Sequence, residues 1–443
     1  MTTTTQTLSE SLALAISAAI GEPGWARDLR LQAWRAYTAT PTPTRRDDTW
    51  HRVNLTGLDL DGLKAGRPGD MPLPASAAAV LEPVANRGGL VAQYGSRSVA
   101  PQLDPALAAQ GVIYTTLEQG LREHGDLLRP HVERHVLAPK AFKFAALNAA
   151  FWTGGMVLYV PKGVHIEAPL VRSRMLEDGD TAAIGRTLVV LEAGASANVV
   201  DAAGSGEADG LHAGSIDLVL GEDAELHYHT LQGWGGNVWN FEFTHAWLAR
   251  RARLHTLDVS LGSHLTRSHL TAVLEGEGAN ARLQGVYVGT GTQQFDFRTL
   301  QDHVAPHTSS DLLFRGALKD TARAGYEGVV RMETTARGAG ASQANHNLLL
   351  NRGATADSVP VLEILASDVE HCNHGASVGQ VDPEQLHYLY TRGLNDTDAR
   401  ELIVAGYIDP ILSQLPTEAL QARIRAAVGQ KLAFVHDLAE ELA

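Results

Sequence analysis

Cysteine is almost missing from this chain, which has a single one, Cys372, among 443 residues. One thiol excludes an internal disulfide framework and is typical of a reducing compartment, so we expect a cytoplasmic protein. Long apolar runs are missing too, because no stretch approaches the roughly 20 consecutive apolar residues of a membrane-spanning helix. We therefore expect no association with a membrane.

Two further absences exclude classes of function. Basic residues are outnumbered, with 36 Lys and Arg against 50 Asp and Glu and a net charge of −14. Because nucleic acids attract clustered positive charge, we expect no nucleic-acid partner. The chain has no Gly-x4-Gly-Lys-Ser/Thr loop to cradle nucleotide phosphates. A Ser–His–Asp triad is not supported either, because the sequence has no Gly-x-Ser-x-Gly elbow in a strand–turn–helix context.

The residues that are present divide the chain into three regions. Residues 1–155 are mixed but mostly helical: Ser9 or Ser11 can cap a first helix, and apolar residues three and four apart predict a second from Trp25 to Tyr37. A weaker pattern predicts a helix within residues 107–128. Residues 156–383 have the pattern of strands, and residues 384–443 return to helix.

The C-terminal region has the features of packed helices. Asp396 or Thr397 can cap a helix that runs through Ala405. A last helix is predicted for residues 416–443, and one stripe of it is apolar, formed by Leu420, Ile424, Val428, Leu432 and Val435. We expect this stripe to pack on the chain's own fold. Arg400 and Tyr407 are then expected to face a partner.

The middle region consists of short β-branched and aliphatic runs separated by turn residues. The clearest runs are Met156 to Val160, Thr187 to Leu191, Ser215 to Leu220 and Gly328 to Met332. Strands this close together leave no room for crossover helices, so the pattern predicts a mainly β protein rather than an α/β one.

An internal repeat in this region favours a solenoid. Leucine is followed four residues later by alanine at Leu191/Ala195, Leu220/Ala224, Leu248/Ala252, Leu318/Ala322 and Leu350/Ala354, with Leu274/Ala279 as a stretched copy. The first spacings are 26–29 residues, in the range of stacked repeats. A small residue at a fixed place in each repeat suits the tight corner of a β-helix. The alternative is a β-sandwich in which the Leu and Ala spacing is coincidental.

The only cysteine lies between histidines, in the run His371-Cys372-Asn373-His374. Thiolate and imidazole are ligands that soft and borderline metals prefer. In an extended segment Cys372 and His374 point to one side and His371 to the other. One Cys and two His cannot complete a four-ligand site, so either another subunit supplies ligands or nothing is bound. A buried structural cysteine is the alternative interpretation.

Other polar residues of the middle region allow weaker hypotheses. His227 and His229 share one face of a strand and could begin a metal site, although polar residues on the outside of a solenoid would look the same. A β-helix enzyme that cleaves carbohydrate needs clustered carboxylates on one face. Asp296, Asp302 and Asp311 are the plausible set for that alternative.

Several motifs together resemble those of one known family. They are Lys143-Phe-Ala-Ala-Leu-Asn148, Val160-Pro-Lys-Gly-Val164, His303-x-Ala-Pro-His-Thr-Ser-Ser-Asp311, Gln343-x-Asn-x-Asn-Leu-Leu-Leu350, Cys372-x-His-Gly-Ala-x-x-Gly379 and Arg392-Gly-Leu394. This set resembles the SUF iron–sulfur cluster assembly scaffolds, the SufB/SufD family. The Cys-x-His-Gly-Ala form, with no cysteine between Asn345 and Pro360, resembles the SufD branch. A SufB-type scaffold is the alternative within the family.

The resemblance implies a fold and a set of partners. The implied fold is a right-handed parallel β-helix core (residues 156–383) flanked by helical regions. The implied assembly is a heterodimer with SufB, with the ATPase SufC docked on the helices after Arg392, and a homodimer is possible for the chain alone. His374, and less strongly Cys372, are then ligands of iron or a nascent iron–sulfur cluster held transiently with the partner. The chain itself is expected to be a non-catalytic scaffold.

Overall fold

A computed structural model describes residues 6–66, 68–74, 82–136, 142–176, 182–206 and 208–432. The N-terminal region mixes helices with short strands. Its strands are β1 (Gln6–Thr7), β2 (Lys64–Ala65), β3 (Gly69–Met71), β4 (Gly89–Tyr94), β5 (Arg97–Val99), β6 (Gln102–Leu103) and β7 (Ile113–Thr116). Its helices are α1 (Glu10–Ile20), α2 (Gly24–Ala39), α3 (Pro105–Ala109), α4 (Leu117–Val136) and α5 (Lys143–Phe151).

Longer strands form the core, and helices follow them. The core strands are β8 (Gly154–Val160), β9 (Leu170–Leu176), β10 (Ala182–Leu191), β11 (Ser196–Ser205), β12 (Gly210–Leu220), β13 (Glu225–Gly233), β14 (Val238–Leu248), β15 (Arg253–Ser260), β16 (Leu265–Leu274), β17 (Asn280–Gly289), β18 (Gln294–His303), β19 (Ser309–Leu318), β20 (Arg323–Met332), β21 (Ala339–Leu349), β22 (Thr355–Ile364) and β23 (Val369–Gln380). The helices are α6 (Pro383–Thr391), α7 (Asp396–Leu412) and α8 (Glu418–Leu432). Within the described residues, no helix has both the length and the apolar character needed to cross a membrane.

The core strands alternate between two sheets. Even-numbered strands from β8 to β22 and β7 form a nine-stranded sheet, and odd-numbered strands from β9 to β23 belong to a twelve-stranded sheet that also holds β3 to β6. From β8 onward, paired strands run parallel and lie two places apart in the chain. The chain therefore coils as a parallel β-helix with two strands in each turn, or rung. This confirms the predicted fold class, and the β-sandwich alternative is wrong.

The Leu and Ala repeat marks both corners between the sheets. Leu191, Leu220 and Leu248 end β10, β12 and β14 in the nine-stranded sheet, whereas Leu318 ends β19 in the other sheet. The regular spacing of the repeat therefore stops between Leu274 and Leu318. The leucines up to Leu274 end strands of the nine-stranded sheet, whereas Leu318 ends a strand of the twelve-stranded sheet. The alanines that follow these leucines are buried, as a tight corner requires.

One corner turns through a residue with positive φ in rung after rung. The φ angle lies between 54° and 72° at Gly163, Gly194, Asp223, Arg251, Gly278, His307 and Gly338. Glycine and, less readily, Asp or Asn adopt this backbone region, which explains the frequent turn residues of the sequence. His307 is thus a corner residue. Its neighbour His303 is buried and bonds through its ring nitrogens to Thr308 Oγ1 and Ser310 Oγ, both at 2.8 Å.

The N-terminal helices cover the outer face of the nine-stranded sheet. The Phe144 ring of α5 stacks on Phe241 of β14 with ring centroids 3.6 Å apart. Asn148 Nδ2 donates to the carbonyl oxygens of Gly185 and Ala213, each at 2.8 Å, and so fastens α5 to β10 and β12. These contacts anchor α5, which begins with the Lys143 motif, to the β-helix.

Local predictions for this region have mixed outcomes. The first helix is confirmed, since Ser9 Oγ accepts the backbone N–H of Leu12 at 3.2 Å and α1 follows directly. The second is confirmed as α2. The helix predicted within residues 107–128 is confirmed only from Leu117, where α4 begins. It is wrong for Ile113, which begins β7 and forms its backbone hydrogen bonds with β8 in the sheet.

The C-terminal helices cover the outer face of the twelve-stranded sheet. The stripe residues Leu420, Ile424, Val428 and Leu432 are buried and belong to one apolar cluster with Val259 and Val286 of the sheet. The predicted packing of this stripe is confirmed for these four residues, and Val435 lies outside the described residues. The cap of α7 is Asn395, one residue before the predicted position, and α7 continues beyond Ala405 to Leu412.

A group of charged side chains lies inside the β-helix. Asp201 Oδ2 accepts from Arg172 Nη1 at 3.0 Å and from the Tyr228 hydroxyl at 2.6 Å, and Asp201 Oδ1 accepts from Arg174 Nε at 2.8 Å. Arg174 Nη1 also donates to Glu242 at 3.0 Å. Burial by itself would raise the pKa of Asp201, but the two guanidinium groups outweigh it and hold that pKa below its usual value.

The two ends of the β-helix differ. At the N-terminal end the outermost strands are short: β7, of four residues, pairs antiparallel with β8, and β3, of three residues, pairs with β5. At the other end, β22 and β23 are the outermost strands, and no element in the part of the chain that the structure describes pairs with their outer edges. We call β22 and β23 together the open end.

Candidate functional site at the open end of the β-helix

The candidate residues of β23 are divided between its two faces. Cys372 and His374 are register partners of Ala341 and Gln343 in β21, whose side chains are buried in the helix interior. Cys372 and His374 therefore lie on the interior side of the last rung, and His371 lies on the outer face. A Cβ atom on Gly340 would come within 2.5 Å of the His371 ring, so the glycine makes room for it.

Cys372 is half-buried at the margin of a small apolar cluster. That cluster contains Val330, Met332 and Ala341, and Leu362 of β22 packs against it as Cys372 does. Burial raises the pKa of the Cys372 thiol. The thiol is therefore protonated near neutral pH and is not an activated nucleophile in the chain alone, because only the thiolate attacks or binds metal readily.

His374 is exposed at the end of a ladder of interior polar residues. In the rung before it, Gln343 Nε2 donates to the Gly328 carbonyl oxygen at 3.1 Å. Gly328 is the register partner of Pro360 in β22, so the same geometry one rung later places His374 opposite Pro360. Its imidazole makes no hydrogen bond to the described residues and is free to meet a molecule at the open end.

The open end does not form a complete metal site by itself. Among the residues that the structure describes, no group of three or more His, Cys, Asp or Glu side chains is arranged to hold a metal ion. One thiol and one imidazole on the interior side leave two positions of a tetrahedral site to other ligands. This arrangement suits a ligand set shared with another molecule.

The open end also presents features of a protein contact. Ile364, Leu365 and Val378 are large apolar side chains that are 43%, 57% and 44% exposed, the first two at the end of β22 and the third near the end of β23. The outer backbone groups of an unpaired edge strand can pair with a strand of another chain. Both features favour a partner at this end.

A second exposed apolar surface lies on helices α6 and α7. Tyr388 and Leu402 are 56% and 54% exposed, and they line one shallow pocket with Gln385 and Ile403. We call this pocket and its lining residues the helix pocket. It is separate from the stripe that packs on the sheet, and it remains available to a partner.

The structure corrects the expectation for Arg400 and Tyr407. Tyr407 is turned towards the sheet, where the guanidinium of Arg315 lies 5.1 Å from its ring centroid. Arg400 donates to the Leu350 carbonyl oxygen at 3.2 Å and to Asp396 at 2.9 Å. Both side chains therefore fix the helices to the chain's own fold.

The carboxylates proposed for a carbohydrate-cleaving site do not form one groove. Asp296 is buried against Arg267 in the nine-stranded sheet. Asp311 is exposed on β19 of the other sheet. Asp302 lies six residues after Asp296 on β18, roughly 20 Å away along the strand, which is too far for an acid–base pair. Because Asp311 lies in a different sheet from both, the three carboxylates do not support the carbohydrate-enzyme alternative.

Three histidines meet on the outer face of the twelve-stranded sheet. His227 and His229 share a face of β13 as predicted, and His255 of β15 is the register partner of His227. His255 follows His227 by 28 residues, which is the length of one rung. The repeat length could therefore have predicted from the sequence that His255 lies beside His227. Burial, together with the neighbouring His255 and His227, lowers the pKa of His229 to about 3.

Comparison with known families covers most of the chain. A family model described as "SUF system FeS cluster assembly, SufBD core domain" matches residues 174–407, and one described as "SufBD protein N-terminal region" matches residues 96–171. The core match begins in β9 and ends in α7, so it includes the open end.

Individual relatives agree with the family match. An "Iron-sulfur cluster assembly SufBD family protein" of Staphylococcus epidermidis (strain ATCC 12228 / FDA PCI 1200) is 30% identical over 427 residues, covering 93% of this chain and 90% of the relative. "Iron-sulfur cluster assembly protein SufB" of Bacillus subtilis (strain 168) is 29% identical over 428 residues with the same coverage. The chain belongs to the SufBD family of iron–sulfur cluster assembly proteins.

Proposed function

We propose that this chain is a SufD-type scaffold subunit that builds iron–sulfur clusters in the cytoplasm together with a SufB paralogue and the ATPase SufC. It contributes His374, and secondarily Cys372, to iron or to a nascent cluster that the partner also holds. The observation that carries this proposal is the incomplete pair of ligands at an unpaired edge. A shared and incomplete ligand set allows release of its cargo, whereas a closed tetrahedral set retains metal.

The choice of the SufD type rests on the cysteine count. The segment from Asn345 to Pro360, which runs from the second half of β21 into β22, has no cysteine. The chain therefore lacks a second thiol near His374. The SufB type remains the second candidate, because the similar chain of Bacillus subtilis carries the name SufB.

His371 has a lesser part in this proposal. It lies on the outer face of β23, on the opposite side from Cys372 and His374. A metal held between the interior face and a partner rung is out of its reach. A role for His371 would need the partner to wrap around the edge of the sheet.

Replacing His374 by alanine tests the metal role. We expect His374→Ala to keep a near-normal melting temperature and normal assembly with SufB and SufC, since its side chain is exposed. Iron and sulfide content of the purified complex should fall several-fold, because even the loss of an outer-shell partner of a metal site typically costs about 10–100-fold in affinity. Cys372→Ser should have a smaller effect.

The matched control is His387→Ala, which changes another exposed histidine on α6, the first helix after β23. It should leave iron content unchanged. A His374→Ala complex that carries clusters at the normal level would refute the metal role, and failed assembly would assign His374 to the contact instead.

The ATPase partner is proposed to dock on the helix pocket. Removing all residues after 394 would be an ambiguous test, since it strips the buried stripe of α8 from the sheet as well. The double substitution Tyr388→Asp and Leu402→Asp is sharper, because both side chains are exposed. We expect SufC to be lost from the co-purified complex while SufB stays bound.

The control for this experiment is Leu14→Asp, a similarly exposed leucine (40%) on α1 far along the chain. It should leave SufC bound. Retention of SufC at full stoichiometry by the double variant would show that the ATPase docks elsewhere.

A further inference from the structure

A short segment of the N-terminal region, residues 49–54, crosses the outer face of the nine-stranded sheet without forming a helix or strand of its own. We call this segment the strap. Its Trp50 is 6% exposed, and the Trp50 ring centroid lies 5.6 Å from that of Phe144 on α5 and 6.4 Å from that of Phe241 on β14. The strap therefore begins in the apolar core that joins the N-terminal helices to the sheet.

A column of register partners runs under the strap towards the open end. It takes one residue from each even-numbered strand from β14 to β22, namely Phe241, Arg267, Asp296, Gly325 and Asp357. Since neighbouring strands lie about 4.8 Å apart, the column is roughly 19 Å long. Arg267 Nη2 donates to the Thr49 carbonyl oxygen at 2.9 Å, and its guanidinium lies 3.7 Å from the Trp50 ring centroid. These contacts fix the start of the strap over β16.

Arg52 carries the strap to the outermost strand of this sheet. Its Nε donates to Asp357 Oδ2 on β22 at 2.5 Å, and its Nη1 donates to Glu327 Oε2 on β20 at 3.4 Å. A Cβ atom on Gly325 would come within 3.0 Å of Arg52 Cδ, so the glycine leaves room for the arginine over β20. The side chain of Arg52 is only 15% exposed, and it bridges the last two strands of the sheet.

Arg52 also ends a row of alternating charges on this face. Arg267 and Asp296 form a buried ion pair, and Arg298 Nε lies 3.6 Å from Asp296 Oδ2. Arg298 Nη1 donates to Glu327 Oε1 at 2.6 Å, and Glu327 in turn pairs with Arg52. An isolated exposed ion pair contributes little to stability, whereas several charges in a network hold one another in place. The network therefore gives Arg52 a fixed position from which to hold β22.

The strand that Arg52 holds has only one neighbour. β22 pairs with β20 on one side, and its other edge has no partner among the described residues. Two ion pairs attach its outer face: Asp357 binds Arg52, and Glu363 binds Arg331 at 2.8 Å. The second pair joins β22 only to β20, whereas the first reaches back to the N-terminal region. An outermost strand is where local opening costs least, so these pairs act where support is needed.

We propose that Arg52 is a positioning residue for the open end: it fastens β22 through Asp357 and couples the N-terminal region to the edge that a partner meets. A strand held in register presents its outer backbone groups in the geometry that a second strand requires, so opening of β22 and binding of a partner oppose each other. By linkage, a partner on the open end also stabilises the docked strap. The fastening of β22 is independent of the proposed function, and the effect of the partner rests on it.

Hydrogen exchange of the free, full-length chain tests the fastening. We expect Arg52→Ala and Asp357→Asn to speed exchange of the β22 amides roughly three- to tenfold, as the loss of networked ion pairs at an edge implies, with little change in melting temperature. Arg52→Lys keeps the charge but lacks the forked guanidinium, so it should restore part of the protection. Asp357 is 60% exposed, so Asp357→Asn folds. Unchanged exchange of β22 in that variant would overturn the proposal.

A second experiment measures the coupling with the purified SufB paralogue as the probe. In the wild-type chain, exchange of residues 49–54 should slow when the paralogue binds, and in Asp357→Asn this slowing should be lost although the paralogue still binds. A merely structural role of the ion pair would not produce that difference. The matched control is Arg331→Ala, which breaks the other ion pair between β20 and β22 and should keep the slowing.

The outcomes separate this inference from the proposed function. A paralogue that does not bind the wild-type chain would refute the proposed function, and exchange of β22 in the free chain would still decide the role of Arg52. A paralogue that binds without slowing exchange at the strap, or that slows it equally in Asp357→Asn, would overturn the coupling.

Discussion

Replacing Val378 by aspartate is expected to weaken the association of this chain with the proposed SufB partner at least a hundredfold. Val378 is 44% exposed at the open end. It lies on the interior side of β23, where its register partner in the preceding rung is the buried Asn347. In the free chain the new carboxylate stays in water, so folding is preserved. In the proposed complex, where the partner covers the open end, it would be buried without a counter-charge, which costs about 3–5 kcal/mol, and each 1.4 kcal/mol is about tenfold in affinity.

The measurement is the dissociation constant between purified chains, with sedimentation velocity of the isolated chain as a second readout for homodimers. The control is Leu127→Asp, an exposed leucine of α4 that is 38% accessible. It should leave both readouts unchanged. Tight binding by Val378→Asp would place the partner somewhere other than the open end.

Asp201→Asn is expected to destabilise the folded chain by about 3–5 kcal/mol. The carboxylate is fully buried and holds Arg172 at 3.0 Å and Arg174 at 2.8 Å. Asparagine has nearly the same shape but no charge, so it leaves two buried guanidinium groups with only Glu242 to balance them. The cost comes from this uncompensated charge, because the volume of the side chain hardly changes.

Chemical denaturation at pH 7 measures this loss. The depressed pKa of Asp201 means that its contribution is present above the unfolded value of about 4 and disappears as pH falls through the folded value. The difference between wild type and variant should therefore shrink in acid. Asp223→Asn, the same change in an exposed pair with Arg251, should be indistinguishable from wild type. Equal stability of Asp201→Asn at pH 7 would mean that the buried guanidinium groups find other partners.

Much of the core could be predicted because its signals are local. Short β-branched and aliphatic runs such as Thr187 to Leu191 predicted strands, and the Leu and Ala repeat predicted stacked rungs. Both signals depend on residues close in the chain or one repeat apart. The stripe of α8 was visible for the same reason. Ile113 was assigned to a helix because its spacing from neighbouring apolar residues is compatible with either a helix or a strand. Its pairing with β8 is a long-range contact, which the spacing of residues along the chain does not reveal.

The candidate site was predicted in part. The sequence by itself determined which residues could bind metal and that Cys372 and His374 share a side of β23, since strand alternation is a property of the backbone. It also determined the family, through motifs spread over the chain. The tertiary structure alone decided that β23 is the last strand of its sheet and that its outer edge has no partner among the described residues, because an edge is defined by the absence of a neighbour.

The same distinction explains the His227, His229 and His255 group and the role of Tyr407. His227 and His229 are two residues apart, so the sequence determined their common face. Only the coiling of one rung onto the next brought His255 beside them, and only the packing of α7 on the sheet turned Tyr407 inward. The sequence determines local conformation through short-range sterics and periodicity, whereas contacts one rung or more apart depend on the register that the folded chain adopts.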